Sequence, residues 1–158
     1  MNAASLLGYV SSLLNMHRIE TILIGNAAAA LDGAPVTTDD LDFLFRPTPK
    51  NIGKLEEIVR EIGSSLTQPH YPLSHLYRFV EPQSGVQIDL MGTVYGVRSF
   101  ESLRSRAIRT TIDGQPVTVA SLGDVIAMKK AANRKKDLAV LPVLEETFRA
   151  AEVEKKRP

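Results

Sequence analysis

The stretch Asp40-Leu41-Asp42-Phe43-Leu44-Phe45 admits few folds, because its acids fall on every second residue of a strand-like pattern. Successive side chains of a strand point to opposite faces, so Asp40, Asp42 and Leu44 share one face and Leu41, Phe43 and Phe45 the other. The apolar trio needs a cover of helices. The two carboxylates then stand side by side on a rigid element, where a proton or a cation must relieve their repulsion. A divalent metal meets that need, and metal held by carboxylates suits phosphate chemistry. An isolated Asp-x-Asp is equally satisfied by a turn followed by a solvated sheet face, so further residues have to decide.

The first is Asp89. In Val86-Gln87-Ile88-Asp89-Leu90-Met91 the apolar face is Val86, Ile88 and Leu90, which leaves Asp89 opposite, again away from the main apolar stripe. If the two acidic strands are neighbours, three carboxylates converge and can hold two Mg²⁺ ions about 3.5–4 Å apart. The second is Lys129. Ser121-Leu122-Gly123-Asp124 resembles a capping box, with Asp in place of the usual Glu, opening a helix to about Asn133. On that helix Leu122, Val125 and Ile126 define the apolar stripe, and Lys129 falls inside it. A core-facing ammonium must reach water at the sheet edge, a carboxylate or a ligand. Arg134-Lys135-Lys136-Asp137 reads either as a basic helix junction capped by Asp137 or as groups meeting triphosphate or metal. Finally, Ile24-Gly25-Asn26-Ala27 is a strand-turn-helix junction. Its glycine lets backbone approach a ligand, and the amides opening the helix favour an anion.

The rest of the chain alternates helical and strand patterns. Helical spacing covers residues 4–16, then Thr21-Ile22-Leu23-Ile24 reads as a buried strand, and a small-residue helix stops near Gly33. Thr48-Pro49 reads as an N-cap and first helical position, with apolar spacing continuing through Leu66. Leu76–Val80 and Val86–Met91 read as a hairpin around Pro82, Ser84 and Gly85, and residues 99–106 as a short helix. Asp113-Gly114 marks a second hairpin, whose Pro116 predicts an edge strand. A last helix holds Leu138, Leu141, Leu144 and Phe148, with Pro142 in its first turn or at a kink, and the tail from Glu154 is expected to fray.

Composition removes several classes. At 158 residues, with neither repeat nor linker, the chain reads as one domain, its core about 20–120 and its C-terminal helices about 121–153. The absence of Cys excludes disulfides and thiol chemistry and suits a cytoplasmic protein. The N-terminus lacks the basic region of a signal peptide, and no apolar run is long enough to span a bilayer. A formal net charge of +1 argues against nucleic-acid binding by bulk charge, though a local patch at Lys129, Lys130, Arg134, Lys135 and Lys136 stays open. His17, His70 and His75 lack zinc-ligand spacing, and no Ser-His-Asp arrangement is evident.

Together, Ile24-Gly25-Asn26-Ala27, Gly33 through Asp42, the Asp89 strand and Ser121 through Leu138 resemble the nucleotidyltransferase superfamily related to DNA polymerase beta. The C-terminal part is similar to small bacterial members, including toxin-type nucleotidyltransferases of abortive-infection systems. The resemblance implies an α+β fold with a mixed sheet flanked by helices. It also implies transfer of a nucleoside monophosphate from a nucleoside triphosphate with Mg²⁺ or Mn²⁺. By that resemblance Asp40, Asp42 and Asp89 bind metal and are the catalytic acids, Asp89 serving as base or orienting the acceptor hydroxyl. Gly25, Asn26, Lys129 and Asp137 contact the nucleotide. The acceptor stays open between RNA, protein and a small molecule, and selectivity between the C-terminal helices, a homodimer and a partner protein. Asn26 stands where the family carries Gly or Ser, and Val36 where many small relatives carry Arg. These departures motivate an alternative, a nucleotide- or partner-binding module that keeps the fold without the chemistry.

Overall fold

The apolar runs become the strands of one six-stranded sheet, and the computed structural model describes residues 3–158. In chain order the elements are α1 (Ala3–Met16), β1 (Thr21–Ile24), α2 (Gly25–Leu31), β2 (Asp40–Phe45), α3 (Pro49–Glu61) and β3 (Leu76–Val80). They continue with β4 (Gln87–Met91), α4 (Phe100–Arg106), β5 (Ile108–Ile112), β6 (Gln115–Val119), α5 (Leu122–Ala132) and α6 (Lys135–Lys155). The strand order is β3-β4-β2-β1-β6-β5. β2 runs parallel to β4 and antiparallel to β1, so the sheet is mixed, as an α+β chain of this kind requires.

Ile22, Leu23, Phe43, Phe45, Ile88 and Leu90 are fully buried at the centre of this sheet. Phe45 meets Tyr77 edge to face at 5.7 Å. α2 needs its small residues: Ala27, Ala28 and Ala29 are buried, which lets the helix lie close to β1 and β2 while α5 packs on it. α6 in turn packs along α5, with Leu141 and Leu144 as its buried apolar residues. The caps follow local chemistry. The Thr48 side chain accepts from the Asn51 amide with Pro49 behind it, and Ser121 accepts from the Asp124 amide. Asn133 closes α5 in the left-handed region. Between β3 and β4 the buried Glu81 accepts from the amides of Gln83 and Ser84, which fixes the turn.

Several expectations need correction. α3 ends at Glu61 rather than running through Leu66, because Gly63 takes a positive φ of 74° and the Ser64 amide turns back to the Val59 carbonyl. β6 is not an edge strand, since it pairs with both β5 and β1. It meets β1 only at Val119, so Pro116 lies beyond that pairing, and its carbonyl accepts from the Asn15 amide group instead. Pro142 is not in the first turn of its helix but inside α6, about two turns from its start. It deprives the Leu138 carbonyl of a donor where Leu138 is exposed. Phe148, placed on the same apolar stripe, is also exposed. The helix reaches slightly further than expected, to Lys155, with Lys155 paired to Glu152 and Arg157 to Glu154, and the tail from Glu154 is exposed. Among the described residues no helix is long and apolar enough to cross a membrane.

Candidate active site

Strand register assembles the three acids. β2 and β4 are parallel neighbours in which Asp42 lies directly opposite Asp89 and Asp40 opposite Gln87. Asp40 is two residues before Asp42, so all three carboxylates project from one sheet face. One oxygen from each lies within 4.8 Å of the others. The register extends across four strands as a row, Arg78 beside Asp89, Asp89 beside Asp42, and Asp42 beside Ile24, after which Gly25 turns the chain.

Each member of the row has a distinct environment. Asp89 is buried and held by Arg78, whose Nε donates to Oδ1 at 2.8 Å and whose Nη2 donates to Oδ2 at 3.1 Å. The Gln87 amide adds a bond at 3.3 Å. Asp40 accepts from the Thr38 hydroxyl at 3.1 Å. Asp42 has no such donor among the described residues. Burial, then the charges of Asp40 and Asp89, push its carboxyl up to about 7, against the pull of Lys136 and Lys129. A compact set of hard oxygen donors whose central member resists ionisation fits a hard divalent cation such as Mg²⁺ or Mn²⁺.

Gly25 touches this centre. Its φ is +70°, and a Cβ built there would lie 2.8 Å from Asp42 Oδ2. Both the turn and the carboxylate therefore exclude a side chain. Gly25→Ala is expected to lower stability by about 1–2 kcal/mol from the left-handed backbone alone, measured by urea unfolding, and to disturb Asp42 besides.

Asp42 opens on two adjoining spaces. The larger, about 360 Å³, is lined by Asp40, Asp42, Asp89, Arg78, Arg134 and Lys136, with His70, His75 and Tyr95 on its walls. The smaller, about 90 Å³, joins Gly25 and Asp42 to Lys129, Arg134 and Asp137. Lys129 does point inward and is 14% exposed, with its Nζ 3.7 Å from an Asp137 oxygen. Burial lowers its pKa, while the Asp137 charge acts the other way. Asp137 is 1% exposed and sits at the third position of α6, where it accepts from the Arg134 amide and guanidinium in a capping box. Burial opposes its charge, yet the bonds from Arg134 hold it below the usual carboxylate range. Asn26 lines neither space: its amide nitrogen lies 3.5 Å from the Thr37 carbonyl, and its amide oxygen is buried without a partner among the described residues.

Of the residues the sequence nominated, Asp40, Asp42, Asp89, Gly25, Lys129 and Asp137 are thus brought together, and Asn26 is set to one side. Arg78 was missed. Its signal was its alternation with Tyr77 and Phe79, which sets it on the opposite face of its strand, but a strand arginine ordinarily reads as solvated.

This architecture is shared. LnuA, a lincosamide antibiotic adenylyltransferase solved with lincomycin bound, has a TM-score of 0.67 at 12% identity over 93% of this chain and 98% of that one. The antibiotic-resistance factor ANT(2'')-Ia, solved with adenylyl-2''-tobramycin, has a TM-score of 0.64 at 16% identity over 96% of this chain and 92% of its own. A nucleotidyltransferase-like protein from Paracoccidioides brasiliensis has a TM-score of 0.55 at 17% identity, over 89% and 74% of the two chains. At these identities the likeness is one of fold. No curated protein matches the chain in sequence. The family model described as a nucleotidyl transferase of unknown function (DUF2204) matches residues 3–157, nearly the whole chain, and the protein belongs to that nucleotidyl transferase family.

Proposed function

We propose that the chain transfers a nucleoside monophosphate from a triphosphate, ATP in the first instance, to a hydroxyl-bearing acceptor. The observation that carries this reading is the convergence of Asp40, Asp42 and Asp89 beside a cleft walled by Arg134 and Lys136. The acceptor hydroxyl gives up its proton to water as its oxygen bonds to the α-phosphorus, the bond to the bridging oxygen breaks, and pyrophosphate leaves with that electron pair. Bound Mg²⁺ or Mn²⁺ would be held by the three acids and would offset charge on the phosphates. Lys136, which has no acidic partner among the described residues, faces the phosphates, with Arg134 and Lys129 behind it. Gly25 keeps the chain close to Asp42. Asp137 serves the nucleotide through Lys129 and Arg134, and Asn26 through the loop before Asp40. The guanidinium gripping Asp89 fixes that carboxylate as an oriented ligand. Orientation of the acceptor hydroxyl is therefore its role in this reading.

The antibiotic adenylyltransferase neighbours support a small hydroxylated acceptor. The test is incubation with each α-labelled triphosphate, Mg²⁺ or Mn²⁺, and three acceptor panels: aminoglycosides and lincosamides, RNA, and cytoplasmic protein. Label is expected in the small-molecule panel, with ATP preferred. Transfer to RNA or protein instead would favour a toxin-type enzyme. Nucleotide binding with no transfer to any panel would sink the catalytic proposal and leave a binding module.

A further inference from the structure

The guanidinium of Arg78 is only partly used by Asp89. Its side chain is 32% exposed and lines the space of about 360 Å³ that holds the three acids. A guanidinium carries five N–H donors. Nε and one hydrogen of Nη2 are spent on the two Asp89 oxygens, at 2.8 and 3.1 Å. Nη1 and the second hydrogen of Nη2 have no partner among the described residues. The edge turned away from Asp89 therefore keeps charged donors at an accessible position inside the cleft. Asp40 and Asp42 add to the field that Arg78 feels, so its charge belongs to the whole cluster rather than to Asp89 alone.

The cross-strand row indicates what those donors meet. Neighbouring strands lie about 4.8 Å apart, so Arg78 stands one spacing beyond Asp89 and two beyond Asp42. Gly25 and Lys129 lie at the other end, around the smaller space. In an in-line displacement the attacking and leaving oxygens stand on opposite sides of phosphorus. A triphosphate whose leaving end points to Gly25 and Lys129 sets its α-phosphoryl group over the acids, with its open side towards Arg78. The phosphoryl oxygens also supply the anion that makes a guanidinium compatible with a bound divalent cation nearby.

We infer that Arg78 is a catalytic residue of the transfer reaction, donating from its free edge to a non-bridging oxygen of the α-phosphoryl group. It moves no proton and forms no bond to phosphorus. It offsets the charge that gathers on those oxygens as the acceptor bonds and pyrophosphate leaves. The inference rests on the transfer reading above.

The test is arginine side-chain NMR of the full chain with Mg²⁺ present throughout, first with pyrophosphate and then with α,β-methylene-ATP. The Arg78 signal, assigned by its loss in Arg78→Lys, is expected to move with the nucleotide analogue and to stay in place with pyrophosphate. Arg78→Lys keeps the charge but loses the planar fork, and is expected to lower kcat by about a hundredfold with the KM for ATP little changed. In a parent protein that transfers label, three results would each overturn the inference and leave the transfer reading standing. They are an Arg78 signal unmoved by the analogue, one moved equally by pyrophosphate, and a parental kcat in Arg78→Lys. A parent protein that transfers label to no acceptor would overturn both.

Discussion

Asp42→Asn is expected to lower nucleotidyl transfer by at least about a thousandfold, since it removes the central charge of the acid cluster. The same substitution is expected to stabilise the metal-free protein at pH 8. In the folded chain burial and the neighbouring acids push the Asp42 carboxyl up to about 7, from an ordinary value of 3.8. The folded state therefore binds that proton more tightly than the unfolded state. The associated stability is fully present below pH 3.8 and is lost as pH rises through 7, the reverse of an ion-paired aspartate. Above pH 7 the metal-free protein carries the whole penalty, on the order of 2–4 kcal/mol. Asn is nearly isosteric and carries no charge, so it escapes the penalty. Urea unfolding of both proteins from pH 4 to 8 in EDTA should show the curves close together at the acid end and diverging upward. Adding Mg²⁺ should then raise the stability of the parent protein and leave the variant unmoved. A variant less stable than its parent at pH 8, or one that retains transfer, would contradict the assignment of Asp42.

Asp137→Ala is expected to show the largest loss of stability among the site residues, about 2–4 kcal/mol. The carboxylate is 1% exposed, and three groups converge on it: the Arg134 amide, the Arg134 guanidinium and Lys129. Its removal uncaps α6 and leaves the 14% exposed Lys129 ammonium without its nearest anion. Asp137→Asn keeps an acceptor for the Arg134 amide and should lose less. The double variant Lys129→Met with Asp137→Leu should recover part of the loss, because the orphaned charge goes with its partner. Urea unfolding of the three proteins checks the order. Equal losses in Asp137→Ala and the double variant would show that the cap alone matters.

Those two aspartates differed in how openly the sequence announced them. Asp40 and Asp42 were legible because strand alternation is local: six consecutive residues establish which side chains share a face. Asp89 was legible as a face but not as a neighbour, since the parallel pairing of β2 with β4 is a property of the whole sheet. Asp137 was legible as a helix cap and Lys129 as an inward cation, but their pairing needed the angle between α5 and α6. Arg78 escaped because its partner lies on another strand. The errors have local and non-local origins. Gly63 ended α3 before the apolar spacing ran out, and β1 reached β6 by a parallel contact that no hairpin signal records. Leu138 and Phe148 keep helical spacing yet face outward, because α6 packs through Leu141 and Leu144.

The cross-strand row from Arg78 to Gly25 also bears on how the molecule folds. Its members come from four strands, and the middle contact joins residue 42 to residue 89 by a parallel ladder, which no tight turn can nucleate. The β3–β4 and β5–β6 hairpins close locally, whereas β2 must find β4 across the intervening helix. Non-local pairings of this type carry a loop-closure cost before any contact repays it, so they tend to form slowly. A slip of one residue in that ladder would send Asp89 to the opposite face of the sheet. Capture of Mn²⁺ during refolding would thus serve as a clock for correct registration of the central strands.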